Sequence, residues 1–228
     1  MNQEEDQVKD RAEVVCILDR SGSMASIIDD AIGGYNAFLA DQKKIDKPAD
    51  LMVVQFDDKY EVPFRGSLKD APDMTRETYV PRGSTALLDA IGKTIIEIGV
   101  KLNAMEESQR PDRVIFVIIT DGEENSSREF DHHKINEMIT QQRDVYNWDF
   151  IFLAAGQDAI ASAAKMGIHG RHAINYMATP KSAQGAYNMM NRVVGASRSS
   201  SSAREGRAKM DSMLNSDIDE SGKVVKRN

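Results

Sequence analysis

Apolar runs with strand character alternate along this chain with stretches of helical period. Residues 12–18 (AEVVCIL) are almost continuously apolar and predict a buried strand. Met24, Ile27, Ile28, Ala31, Tyr35, Phe38 and Leu39 then recur mostly at steps of three and four, the spacing of one helix face. A second strand is expected at 51–56 (LMVVQF). The turn DDK leads into YEVPF, whose alternation predicts the returning strand of a hairpin. Pro63 lacks an N–H and places that strand at a sheet edge.

The second half continues the alternation. Leu87, Leu88, Ile91, Ile95, Ile98, Leu102 and Met105 trace a helical stripe, with Ser84 and Thr85 just before it as expected N-caps. Residues 113–120 (RVIFVIIT) show no polar alternation, which predicts a strand buried on both faces at the centre of a parallel sheet. A helix over 130–145, a strand over 149–155, a short helix over 158–166, a short strand near HAINY and a helix over 181–194 follow. The pattern predicts an α/β, doubly wound, Rossmann-like fold. Its sheet is mainly parallel with one antiparallel edge strand, and helices cover both faces.

The ends differ in texture. Residues 1–11 read as a polar tail, 12–195 as the domain, and 196–228 as a serine-rich, flexible tail. Within that tail, Met210, Met213 and Leu214 are spaced to form one amphipathic turn that docks back.

Composition narrows the function classes. With 41% hydrophobic and 29% charged residues among 228, the balance is that of a soluble globular protein. No apolar run approaches the ~20 residues of a membrane span. The polar start has no apolar h-region, so no secretory signal is read. The lone cysteine, Cys16, cannot form an internal disulfide, and a cytoplasmic location is expected. A net charge of -7 argues against nucleic acid as a partner, which selects clustered basic surface.

Candidate chemistry collects at one edge. In doubly wound sheets, ligands bind beyond the carboxyl ends of the strands. The first strand ends at Asp19, followed by Ser21 and Ser23. The 113–120 strand ends in TDGEEN, which puts Asp121 at the same edge, and GSTAL brings Thr85 to the start of a helix. Singly, each reads as a cap or a turn. Together, two carboxylates and three hydroxyls make a set of hard oxygen donors. Such a set suits Mg2+, with Mn2+ or Ca2+ as alternatives, rather than zinc or copper.

Asp19-Arg20-Ser21-Gly22-Ser23, Thr85 in GSTALLDAI and Asp121 in TDGEEN resemble the three-part metal-ion-dependent adhesion site (MIDAS) of the von Willebrand factor type A domain. The resemblance spans roughly residues 12–195. It implies that the serines, and in the high-affinity state the threonine, bind the metal directly, and that the aspartates bind it directly or through water, depending on state. It also implies an open coordination position that an Asp or Glu of a partner protein fills. On that basis the chain is expected to be a non-enzymatic, metal-dependent protein-binding module of the free-standing prokaryotic or phage kind. Its oligomeric state is left open.

Two other classes remain. An aspartate at the first strand end also serves as a nucleophile in phosphohydrolases, although Ser21 stands where a second acid belongs, and no phosphate loop or GxSxG elbow is present. A scaffold with a purely structural metal is the other. Among remaining features, Glu123, Glu124 and Asn125 read as a solvated acidic loop, and Asp57 and Asp58 as turn formers. His132 and His133 read as surface or cap residues, and His169 and His172 lack a third zinc ligand. Asp217, Asp219, Ser221 and Gly222 resemble the start of a calcium loop whose closing glutamate is missing, so a disordered tail is the stronger reading there.

Overall fold

The computed structural model describes residues 10–155 and 159–227. Most of the expected polar segment 1–11, and the start of the helix expected at 158, lie outside them. Six strands form the main sheet: β1 (Ala12–Asp19), β2 (Ala49–Phe56), β3 (Tyr60–Ser67), β4 (Arg113–Thr120), β5 (Asp149–Ala155) and β6 (Ala173–Tyr176), in the order β3-β2-β1-β4-β5-β6. All neighbours are parallel except β2 and β3, which form the edge hairpin that Pro63 required. Every residue of β1 and β4 is buried, as unbroken apolar runs demand of central strands, whereas β3 never buries a residue fully.

Side chains alternate across the sheet and build two apolar layers. Val14, Cys16 and Leu18 of β1 point into one layer, against α1 (Ile28–Lys43) and α5 (Pro180–Ser199). Val15 and Ile17 point into the other, with α2 (Leu87–Asn103), α3 (His132–Tyr146) and α4 (Ala159–Lys165). The first helix begins as a 3-10 turn, Gly22–Ile27, before α1 proper. Gly34 lets α1 and α5 close together: a Cβ there would lie 2.5 Å from Tyr187 Cγ. No helix among the described residues is long and apolar enough to cross a membrane.

Residues beyond 195 differ from the loose tail read from their composition. α5 runs through that boundary to Ser199. α6 (Ala203–Met213) follows, then a hairpin of β7 (Ser216–Ile218) and β8 (Val224–Lys226). Met210, Leu214 and Ile218 are buried in the same layer as α1 and α5, with Met213 packed against them, so the docking turn is present within a larger packed unit. The physical reason is an N-cap hidden among serines: Ser202 Oγ accepts from Glu205 N, and Glu205 Oε2 accepts from Ser201 N, one residue before the cap.

The stretch read as the start of a calcium loop forms this hairpin, and its acids are engaged locally. Asp217 Oδ1 accepts from Asn175 N at 2.9 Å, tying β7 to β6. Asp219 Oδ1 instead accepts from Ser221 N, Ser221 Oγ and Lys223 N, which closes the turn. The two acids face different partners.

Candidate metal centre

The order β2-β1-β4 makes the crevice between β1 and β4 the point where the winding reverses, the place where such sheets leave a gap for ligands. Parallel register aligns Leu18 with Ile119, so Asp19 and Thr120 emerge at one level. The Thr120 hydroxyl donates to Asp19 Oδ2 at 2.5 Å. Ser21 N donates to Asp19 Oδ1 at 2.6 Å, a local turn that swings the serines back over the strand end. Asp19 thus has both oxygens fixed before any ligand is considered.

The structure brings all five predicted residues together. Ser21 Oγ lies 3.0 Å from Ser23 Oγ, and Ser23 Oγ donates to Asp121 Oδ1 at 2.5 Å. Gly122 marks the gap they share. A Cβ there would sit 2.9 Å from Thr85 Oγ1, 3.5 Å from Ser23 Oγ and 3.6 Å from Asp19 Oδ2. Oxygens from three separate loops therefore converge on one point that the absence of a side chain keeps open.

Capping, the simplest explanation for these hydroxyls, does not hold for two of them. Ser21 precedes the 3-10 turn without a side-chain capping bond. The N-cap of α2 is Ala86 rather than Ser84 or Thr85. The cap is supplied from elsewhere: Glu124 Oε2 accepts from Leu88 N at 2.9 Å and Ser127 Oγ from Asp89 N at 3.1 Å. Glu123 and Asn125 are exposed, as a solvated loop would have them, but Glu124 is half-buried, and Glu124 and Asn125 also make specific bonds. Asn125 Oδ1 accepts from Thr85 N, and Asn125 N donates to Thr85 O, which holds Thr85 beside Asp121.

An ion cluster with Arg20 and Asp57 buried, and Arg82 and Glu61 reaching solvent, fixes the first loop from behind. Arg20, the first of the two variable residues of the Asp-x-Ser-x-Ser stretch, is buried and donates from Nε to Asp57 Oδ2 at 3.0 Å. Arg82 Nε reaches the same oxygen at 2.8 Å, and both arginines meet Glu61. Hydrogen bonds from Arg20, then from Arg82, hold the Glu61 carboxyl down at about 2. Asp57 does close its turn, accepting from Lys59 N, but it is also the fully buried hub of this cluster. Backbone bonds Gly22 N to Gly83 O and Arg82 N to Arg20 O complete the seam between the loops. Two buried tyrosines support the strand ends: Tyr79 donates to the Asp19 carbonyl and Tyr176 to the Thr120 carbonyl.

Reading the sequence missed Thr120, Tyr79, Tyr176 and the second roles of Asp57, Glu124 and Asn125. Only Thr120 carried a signal, as the one polar residue closing an otherwise apolar strand.

Electrostatics favour a cation. Burial pushes the Asp19 carboxyl up to about 6, against hydrogen bonds from Thr120 and Ser21, and the nearby Asp121 charge adds to the rise. Burial also raises Asp121, against its bond from Ser23. A positive charge between them would oppose both effects. Among the described residues, this site included, no group of three His, Cys, Asp or Glu side chains is arranged to hold a metal; the candidate centre has only two carboxylates and otherwise rests on hydroxyls. His132 and His133 are exposed at the start of α3, which Asp131 caps, and His172 is taken by Asp211 at 2.7 Å.

No family model matches the sequence, and no curated protein matches it significantly. Solved structures do resemble it. The ArnB paralog VWA2 of Sulfolobus acidocaldarius aligns with a TM-score of 0.53 at 17% identity, over 79% of this chain and 44% of that one. A von Willebrand factor type A protein from Catenulispora acidiphila gives 0.51 at 14% identity, over 91% and 44%. Proximal thread matrix protein 1 of the mussel byssus, a structure with a zinc-occupied MIDAS motif, gives 0.57 at 11%, over 80% and 47%. The chain spans less than half the length of each of these three proteins. At such identities the likeness speaks to architecture, and it agrees with the strand order and helix layers described above: this chain has the von Willebrand factor type A fold.

Proposed function

We propose that Asp19, Ser21, Ser23, Thr85 and Asp121 hold a divalent cation, Mg2+ first and Mn2+ or Ca2+ as alternatives, and that the protein is a non-enzymatic module binding a partner protein through it. The observation that carries this reading is the convergence of oxygens from three loops on the open side of Gly122. Ser21 and Thr85 keep hydroxyls that cap no helix, which supports a ligand as their reason for being there. Oxygen donors without imidazole or thiolate fit a hard cation.

A cation so held would supply a Lewis-acidic point at the surface. The two carboxylates formally balance a divalent ion, but where hydroxyls bind it directly and an aspartate is reached only through water, it would stay electrophilic toward an acidic side chain of a partner. The protein's own residues hold the donors: Thr120 and Ser21 N orient Asp19, Ser23 and Asp121 orient each other, and Asn125 positions Thr85. A cytoplasmic location fits the single cysteine, buried in β1 with its thiol raised by burial and so inert.

Affinity capture in Mg2+ buffer followed by EDTA elution tests the reading. A partner that elutes with EDTA and is not captured by Asp19→Ala supports it. Equal capture with and without the metal contradicts it.

A further inference from the structure

A second feature lies away from the strand carboxyl ends, where β1 and β2 begin. A cavity of about 340 Å³ opens there, lined by Arg11, Lys47, Lys69 and Arg198 together with Asp46 and Asp50. Four cations against two acids is an unusual lining for a chain whose net charge is -7. Asp50 is neutralised by Arg11 at 2.8 Å and by Lys101 at 3.0 Å. Lys47 is paired with Asp10 at 2.5 Å. Lys69 and Arg198 have no carboxylate partner among the described residues.

Arg198 makes the case. It is 2% exposed, deeper than an unpaired charge ordinarily lies. Its terminal nitrogens donate to Gln42 O, Gln42 Oε1 and Lys47 O, at the carboxyl end of α1, while its Nε has no partner. A helix end supplies roughly half a negative charge, which offsets only part of the guanidinium's. Arg113, also buried, lies close behind, and its carboxylate, Asp10, is shared with Lys47. Burial and Arg113 together bring Arg198 down to about 10, so it stays charged at neutral pH and lacks a counter-charge.

We propose that this cavity binds a small oxyanion of the phosphate class, held between Arg198 at its floor and the exposed Lys69 at its mouth. The volume exceeds what a bare phosphate fills, so a phosphate monoester is accommodated as readily as the free ion. Asp46, exposed and without an ion pair among the described residues, is the one lining charge that opposes the ligand.

Titration calorimetry with inorganic phosphate, in EDTA and at constant ionic strength set with chloride, tests this on the full chain. Wild type is expected to bind phosphate at a single site. Lys69→Glu weakens binding by about ten-fold or more, the loss of one charge-assisted contact. Asp46→Asn strengthens it by about two- to five-fold. Both positions are exposed, so neither change threatens folding. Asp19→Ala leaves phosphate binding intact, which separates this site from the metal centre. Glycerol phosphate run alongside identifies the source: tighter binding than inorganic phosphate points to an organic phosphate, equal binding to the free ion. The absence of phosphate binding beyond the chloride control, or equal affinity in wild type, Lys69→Glu and Asp46→Asn, overturns the proposal.

Discussion

The Thr120 hydroxyl, at the last residue of β4, donates to Asp19 Oδ2 at the last residue of β1, 2.5 Å away. This one bond joins the two strand ends between which the candidate metal centre lies, and it fixes which face Asp19 turns to the serines. Thr120→Val keeps the shape and removes the donor. It is expected to cost about 1–3 kcal/mol in urea denaturation without metal, the cost of a buried acceptor left unmet. Mg2+ affinity by calorimetry should fall about ten-fold, because Asp19 then keeps only the Ser21 N bond to hold its orientation. Unchanged affinity would assign Thr120 to stability alone.

Asp57 binds Arg20 and Arg82 through one oxygen, so one carboxylate holds the loops on either side of the site. Arg82 is 44% exposed and can turn to water, whereas Arg20 is only 5% exposed and cannot. Asp57→Asn leaves Arg20 paired with Glu61 and should therefore destabilise the fold by about 1–3 kcal/mol, the cost of weakening a buried charge-assisted hydrogen bond. Asp58→Asn, one residue along and outside the Arg20–Arg82 pairing, should change stability by less than about 0.5 kcal/mol. Urea denaturation of both variants checks this.

Two adjacent glycines in α1 should respond in opposite directions. A Cβ on Gly33 meets nothing within 4 Å, so Gly33→Ala should stabilise by up to about 1 kcal/mol through helix propensity. A Cβ on Gly34 would collide with the Tyr187 ring, so Gly34→Ala should destabilise by about 1–3 kcal/mol despite the same propensity gain. Thermal melts of the pair decide it.

Glu13 gives a pH signature. Burial raises its carboxyl above 4.5, the largest effect, while Lys101 at 2.6 Å opposes the rise and Oε1 has no partner. The native state therefore holds this proton more tightly than the unfolded chain. Stability from Glu13 is fully present below pH 4.5 and is lost as pH rises through the raised native value. Glu13→Gln should remove that decline, so the variant gains stability relative to wild type as pH rises from about 4.5 to 7. Urea denaturation at several pH values measures the difference; a constant difference would contradict the assignment.

The parts legible in the sequence were those set by local period and by strand ends. β4 and β5 show an apolar pattern that ends where their burial ends, and the Asp19, Thr85 and Asp121 loops were placed by the rule that ligands gather beyond parallel strands. Serine-rich composition concealed α6, because the Ser202 cap and the spacing of Met210 and Leu214 form too short a periodic stretch to stand out. The roles of Glu124, Asn125 and Asp57 arise only from contacts between segments some 25 to 40 residues apart in sequence. A local reading assigns such residues to loops and turns, which they also are.

The central claim is that one divalent ion sits among Asp19, Ser21, Ser23, Thr85 and Asp121. Crystals soaked in Mn2+ and measured at the manganese absorption edge test it most directly. A single anomalous peak within coordination distance of these oxygens, lost in Asp19→Ala crystals, is the predicted result. Anomalous density only at other positions, or none at all with the five residues ordered as described, would contradict it.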